Sequence, residues 1–281
     1  MNLLTFLSRL FAALAHAKEA ANVSGAPDGE YRIYNDKKSI YDVPTVDTQS
    51  AAPPGWDGAP PYRYIDVSRY QGKITLNGWR KIKAAGYKGA MLKTVSTNKK
   101  LSKRADGLYI DPTFDTNYRN ARAAGLDVGV YYYTYATNKD MVNAELSLLR
   151  QAIYGKELTL PVAVDVEDNK LGNLDKQSLT DLTAYALHKV EQMGFYAQLY
   201  TYTSFAKAHL FVGGAALHPY DVWLADYTGK TPKVDFKYNA HQHTSKGSVP
   251  GISGNVDLNV TELNYPRIIR KKGLTRLREG K

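Results

Sequence analysis

Residues 161–168 read PVAVDVED, an apolar run that ends in acids. Side chains alternate along a strand, so Ala163, Asp165 and Glu167 share one face while Val162, Val164 and Val166 share the other. Two carboxyls two residues apart stand roughly 6–7 Å apart at a rise of about 3.3 Å per residue. Burial and mutual repulsion at that distance drive their proton affinities apart, leaving one acid and one carboxylate. Such a pair suits hydrolysis of a glycosidic bond. An acidic strand end that caps a helix or pairs with a lysine is the competing reading of this stretch taken by itself.

The elements that must position the pair begin near residue 63. Eight strand-like segments follow, at 64–68, 89–95, 127–134, 161–167, 196–202, 221–227, 239–244 and 254–260. Helical patterns separate the first six and close on Gly86, Gly125, Gly155 and Gly194, where helix C-termini favour glycine. Alternating strands and helices imply a parallel sheet. Eight strands in about 200 residues fit an α/β fold of the single irregular (β/α)8-barrel type, its last helices missing or very short. Strand parity sorts the faces. Ile65, Val67, Val128, Val130, Leu199, Val222, Leu224, Val256 and Leu258 form aliphatic faces that pack under helices. The opposite faces carry Asp66, Lys93, Tyr131, Tyr133, Tyr200, Trp223, Tyr227 and Asp257, near C-terminal strand ends. In barrels that end holds the active site.

Composition narrows the chemistry. Of 281 residues, 43% are hydrophobic and 23% charged, as in a globular chain. Tyrosines number 22 against 7 Phe and 3 Trp, and their flat faces with polar tips suit a sugar cleft. There is no cysteine, which excludes disulfides and thiolate metal sites. The six histidines show no metal-binding spacing; His241 and His243 alternate on a strand. No serine nucleophile elbow and no glycine-rich phosphate loop follow a strand. No cofactor and no metal are expected.

The ends differ from the middle. Net charge is +10, and residues 267–281 hold seven Lys or Arg against one Glu, a net +6. Residues 266–281 thus read as a basic tail, either a solvated terminus or an adhesive for nucleic acid, anionic lipid or an anionic wall. Residues 1–22 carry a stripe of Leu3, Leu7, Leu10 and Leu14 with Phe6 and Phe11. Ala15-His16-Ala17 resembles a signal-cleavage site, but no positive charge precedes the stripe and Arg9 interrupts it. The preferred expectation is a retained docking helix; a cleaved signal is the alternative. Residues 23–62, rich in Gly, Pro, Asp and Ser, read as an extended arm. No stretch is long enough for a transmembrane span.

In order, IDVSRYQG (65–72), LKTVS (92–96), YIDPTFDTNYRNARAAGLDVGVYYY (109–133), VAVDVED (162–168), LYT (199–201), VWLADY (222–227) and HQHTSKGSVPGISGNVDLN (241–259) resemble glycoside hydrolase family 25, the Chalaropsis-type lysozymes common in phage endolysins. The resemblance covers residues 63–265. It implies a flattened, incomplete β/α barrel that cleaves the β-1,4 bond after N-acetylmuramic acid in peptidoglycan. Carried over by position, Glu167 is the general acid, Asp165 its partner, and Asp66 and Asp257 the other acidic walls of the cleft. Gln242 joins the substrate-binding set of Lys93, Tyr131, Tyr133, Tyr200, Trp223 and Tyr227. Three positions depart from the family pattern. Tyr131-Tyr132-Tyr133 stands for Tyr-His-Phe, Ser96-Thr97 for an acid and Gly, and His241 for an aromatic before Gln242. These changes touch substrate fit more than the carboxylates.

The expected mechanism has Glu167 protonate the leaving oxygen while Asp165 stabilises positive charge or orients an acetamido group. Substrate assistance, covalent retention and inversion all fit the spacing. The expected partners are bacterial peptidoglycan and, through the N-terminal helix, other proteins of a virion; no specific nucleic acid is expected. Action on the bacterial cell wall follows, from a virion-associated or a secreted protein. The rival reading is a non-catalytic wall-binding or structural virion protein built on the same barrel.

Overall fold

The structure, a computed structural model, describes residues 61–278. The expected docking helix at 1–22 and nearly all of the arm at 23–62 lie outside the described residues. The chain runs β1 (Tyr62–Val67), α1 (Leu76–Ala84), β2 (Gly89–Lys93), β3 (Val95–Thr97), β4 (Leu108–Ile110), α2 (Phe114–Ala123) and β5 (Asp127–Tyr133). It continues through α3 (Lys139–Ile153), β6 (Val162–Asp165), α4 (Lys176–Gln192), β7 (Ala197–Tyr202), α5 (Thr203–His209), β8 (Asp221–Ala225), β9 (Ala240–Gly247), β10 (Val256–Thr261) and α6 (Tyr265–Lys271).

Eight strands close a barrel in the order β1-β10-β9-β8-β7-β6-β5-β2. Strands β2, β5, β6, β7 and β8 are parallel neighbours, buried on both faces, which is why they read as nearly unbroken apolar runs. The expected parallel sheet forms from β1 round to β9, but not at β10. β10 pairs antiparallel with both β1 and β9, because no helix intervenes between β9 and β10 and a short link can only return the chain. The expectation of short or missing last helices holds: α5 has seven residues, and no helix separates β8 from β9.

Local chemistry sets the helix boundaries. Thr75, Asn138 and Asp175 accept hydrogen bonds from Gly78 N, Met141 N and Ser178 N, capping α1, α3 and α4. Gly86 and Gly194 lie at φ 89° and 94°, conformations that other residues reach only with strain. The segment expected as one strand at 89–95 instead breaks after Lys93. Val95–Thr97 then pairs antiparallel with Leu108–Ile110 in a separate hairpin that sequence reading missed.

The basic tail needs correction. Residues 265–278 belong to the folded body: Tyr265, Ile269 and Leu274 are buried, and Asn264 caps α6 through Arg267 N. Tyr265 Oη donates to the buried Asp221 carboxylate, which also accepts from Gln198 and, on its other oxygen, from Asn239. Arg270 pairs with Asp127 at 2.8 Å and Arg276 with Glu157 at 3.3 Å. Apolar residues spaced among the charges, rather than charge itself, decide where this segment goes. Replacing Tyr265 by Ala removes a buried ring and strips a donor from Asp221, so unfolding in urea should require about 3–5 kcal/mol less than in the parent. A loss below about 1 kcal/mol would contradict the buried packing of Tyr265 against Asp221.

Candidate active site

The eleven residues singled out from the sequence line one cavity of about 410 Å³ at one end of the barrel: Asp66, Lys93, Tyr131, Tyr133, Asp165, Glu167, Tyr200, Trp223, Tyr227, Gln242 and Asp257. Register explains the convergence. Tyr133 lies beside Asp165, Asp165 beside Tyr200, and Tyr200 beside Trp223, so inward residues of neighbouring strands form one belt. Glu167 and Tyr227 lie two residues past the ends of their strands, at the mouth. Asp257 reaches the same end differently. It sits near the start of β10, and only the reversal of that strand brings it opposite Asp66.

The carboxyls are held in little water. Asp66 and Asp165 are 4% and 3% exposed. Burial drives the Asp66 proton affinity well above the usual carboxylate range, and the adjacent Asp257 adds to it. Donors from Asn259 and Gln242 to Asp66 Oδ2, at 2.9 and 2.8 Å, oppose that rise. Burial likewise raises Asp165, with the Glu167 charge next in size. Glu167 is pushed up to about 7 by burial, against the Lys93 ammonium that favours its charged form. Asp257 is raised by burial too. Lys93 is lowered by burial, while Asp165, Asp111 and Glu167 pull it back towards the cation. Close acids of this kind retain a proton between them near neutral pH.

Aromatic and amide groups build the walls. The Tyr200 ring meets Trp223 edge-on at 4.6 Å, and Tyr131 meets the same indole at 6.3 Å. Lys93 Nζ lies 4.7 Å from the Tyr133 ring centroid. Gln242 is the hub: its Oε1 accepts from Tyr200 at 2.8 Å and also from Tyr227, while its Nε2 donates to Asp66. Its amide orientation is thereby set by three partners. Asp165 Oδ1 differs, being buried with no hydrogen-bond partner among the described residues.

Sequence reading missed several contributors. Ser68, Tyr70, Gln71, Tyr135 and Ser245 also line the cavity. Asn259 bridges Asp66 and the Trp223 indole N–H, at 2.9 Å to each. Strand parity carried a signal for two of these, since Asn259 follows Asp257 by two residues and Tyr135 follows Tyr133 by two. Glu145 on α3 carried none. Buried there, it accepts from Thr134 Oγ1 and Tyr135 N at 2.6 and 3.0 Å and so fixes the turn that presents the tyrosines. Among the described residues no three His, Cys, Asp or Glu side chains converge as a metal-binding set. No described helix is long and apolar enough to cross a membrane.

Comparison with known proteins places this geometry in context. Residues 65–252 match the model of glycosyl hydrolases family 25. An autolytic lysozyme of Clostridium acetobutylicum is 30% identical over 195 residues, spanning 69% of this chain and 54% of that protein. The chain thus spans about half the length of that relative. Lysozyme M1 of Streptomyces globisporus is 27% identical over 208 residues, covering 69% of this chain and 66% of its own. The fold is similar to that of a bacterial lysozyme from Streptomyces coelicolor, with a TM-score of 0.63 at 22% identity over 78% of this chain and all of that one.

The raised affinity of Glu167 has a stability consequence. A carboxyl bound more tightly to its proton in the folded state than in the unfolded one opposes folding once pH exceeds both values, and contributes nothing unfavourable below the unfolded value. Glu167→Gln should therefore stabilise the protein at pH 8 by roughly 1–3 kcal/mol. At pH 4 the difference should vanish. Urea unfolding at the two pH values reads it, and a variant no more stable than the parent at pH 8 would contradict the burial argument.

Proposed function

Because the chain belongs to glycosyl hydrolases family 25, we propose that it is a peptidoglycan hydrolase, an N-acetylmuramidase cleaving the β-1,4 bond between N-acetylmuramic acid and N-acetylglucosamine. The observation that carries this reading is the Asp165–Glu167 pair, two carboxyls that line one tyrosine-rich cavity and whose proton affinities are raised by burial. Glu167, at about 7, holds a proton over much of the range where it must give one up. That proton passes to the glycosidic oxygen as the bond to the anomeric carbon breaks. The oxocarbenium-like centre left behind needs negative charge or a neighbouring acyl oxygen. In this reading Asp165 serves either need, by orienting an acetamido N–H or by facing the cationic carbon; that its buried Oδ1 has no hydrogen-bond partner among the described residues supports the assignment. Asp66 and Asp257 form the opposing acidic wall, and Tyr131, Tyr133, Tyr200, Trp223 and Tyr227 the faces against which sugar rings stack.

The site of action in this reading is the bacterial cell wall. Endolysins are among the similar folds; that of bacteriophage P40 of Listeria monocytogenes has a TM-score of 0.56 at 21% identity, over 77% of this chain and 99% of that one. Attachment to a virion rests on the apolar stripe of residues 1–22, a sequence argument. N-terminal sequencing of the protein from its source tests it: a mature chain starting near Lys18 means secretion.

Incubating the purified protein with peptidoglycan and weighing the released muropeptides by mass spectrometry tests the activity. Products with muramic acid at their reducing ends identify a muramidase; binding without release identifies a non-catalytic wall-binding protein. Glu167→Gln should lower the rate by about 10²–10⁴-fold. Asp165→Asn should also be severe. Since the acid form of Glu167 is required, the wild-type rate should fall as pH rises through about 7. A rate still climbing well above that pH would reassign the proton donor.

A further inference from the structure

Glu167 lies just past the end of β6, where sheet pairing runs out. The last bond from the β5 side is Thr134 N donating to Asp165 O at 3.1 Å, and the last to β7 is Val166 N donating to Tyr200 O at 2.9 Å. Beyond Glu167 the chain is held by Asp168. Its Oδ2 accepts from Tyr133 Oη at 3.1 Å and its Oδ1 from Lys170 N at 2.9 Å, while its carbonyl accepts from Leu171 N at 2.9 Å. Leu171 is fully buried, so this turn is anchored in the core.

The tie from Tyr133 crosses between strands. Its ring lines the cavity, with Lys93 Nζ 4.7 Å and the Tyr135 ring 5.0 Å from its centroid, but its hydroxyl is taken by Asp168. Asp168 itself lies outside the lining of the cavity. Among the described residues it forms no ion pair, so neutral donors fix its charge without cancelling it. The titratable groups facing Glu167 are Lys93 from β2, Tyr133 from β5, Asp165 from β6, Tyr200 from β7 and Asp257 from β10, with Tyr227 just beyond β8. Lys93 is the one cation of that set.

We propose that Asp168, tied down by Tyr133, is a positioning residue for the proton donor: it fixes the chain that presents Glu167 and sets a negative charge beside it. The proposal rests on the reading of Glu167 as that donor. A proton donor must be aimed at the leaving oxygen, and small misplacements are costly in rate. It must also keep its proton, and a like charge nearby disfavours ionisation of a carboxyl. Burial lifts the proton affinity of Glu167 most, Lys93 opposes it, and Asp257 and Asp168 add to the rise. Unlike Asp257, Asp168 acts from outside the cavity and takes no space that a sugar would fill.

Two variants of the full chain separate charge from tie. Asp168→Asn removes the charge but keeps an acceptor for Lys170 N and a partner for Tyr133 Oη. Tyr133→Phe keeps the charge and the ring but removes the tie. The titration of Glu167, followed by carboxyl carbon NMR and assigned with Glu167→Gln, should move down by about 0.5–1 pH unit in Asp168→Asn. The falling limb of rate against pH should move with it, so the rate relative to the parent should be about 3–10-fold lower at pH 8 than at pH 5. Tyr133→Phe should lower kcat about 3–10-fold across that range with KM changed by less than about twofold, since the donor is aimed less well and the sugar is bound as before. Asp168→Glu, which restores the charge, should titrate near the parent. An unmoved Glu167 titration in Asp168→Asn would overturn the proposal, as would a rate lowered equally at every pH, the mark of a merely structural residue. So would unchanged kcat in Tyr133→Phe, or a fall in Asp168→Glu as large as that in Asp168→Asn, which would assign the shift to a disturbed turn. Failure of the wild type to release muropeptides would count against the hydrolase reading alone, because the titration needs no turnover.

Discussion

Taking Asp66, Asp165 and Glu167 out of water is the unfavourable act on which this architecture turns. A buried carboxylate is costly, and the cost falls when it keeps its proton or gains donors. Both responses appear here. Asp66 receives two amide donors, from Gln242 and Asn259, and those amides are themselves anchored by Tyr200, Tyr227 and Trp223. Among the described residues Asp165 and Glu167 receive no such shell; their proton affinities rise instead, with the Lys93 ammonium as the nearby counter-charge. In the proposed mechanism it is the pair without that shell which does the chemistry.

The two ends of the barrel divide labour along the same line. At the end opposite the cleft, Asp221 is as buried as Asp165 but fully engaged, by Tyr265, Gln198 and Asn239. Asp127 there is held by Tyr62, Thr159 and Arg270. Saturated networks of this kind give rigidity and leave nothing for a ligand. At the cleft end, Asp165 Oδ1 has no partner among the described residues. The closed sheet joins both ends, so an unsatisfied group can persist where a substrate would need it.

The strands and helices of the parallel half were legible from sequence because each signal is local: apolar runs of strand length, side-chain caps such as Thr75, Asn138 and Asp175, and glycines where helices end. The cleft was legible because alternation on a strand is a property of the backbone. Knowing that Asp165 faces one way implies that Glu167 and Ala163 face with it, and the same parity applied to Tyr131 and Tyr133 puts them together.

What tertiary structure alone decided are matters of pairing and direction. The reversal of β10, which sets Asp257 opposite Asp66, depends on how the chain closes the barrel and leaves no trace in the alternation of VDLNV. The break after Lys93 that creates the β3–β4 hairpin follows from Thr94 bonding to β5 and Asp111, partners distant in sequence. Glu145 looks like any helical glutamate until the turn at Thr134 and Tyr135 folds onto it. Residues 266–278 read as a tail because their charge is dense, and they fold because Ile269 and Leu274, with the neighbouring Tyr265, find an apolar surface that exists only once the barrel has closed. Sequence by itself determined which residue types face which way, since that is set by neighbours along the chain; the partner each one meets was decided by contacts that only closure brings within reach.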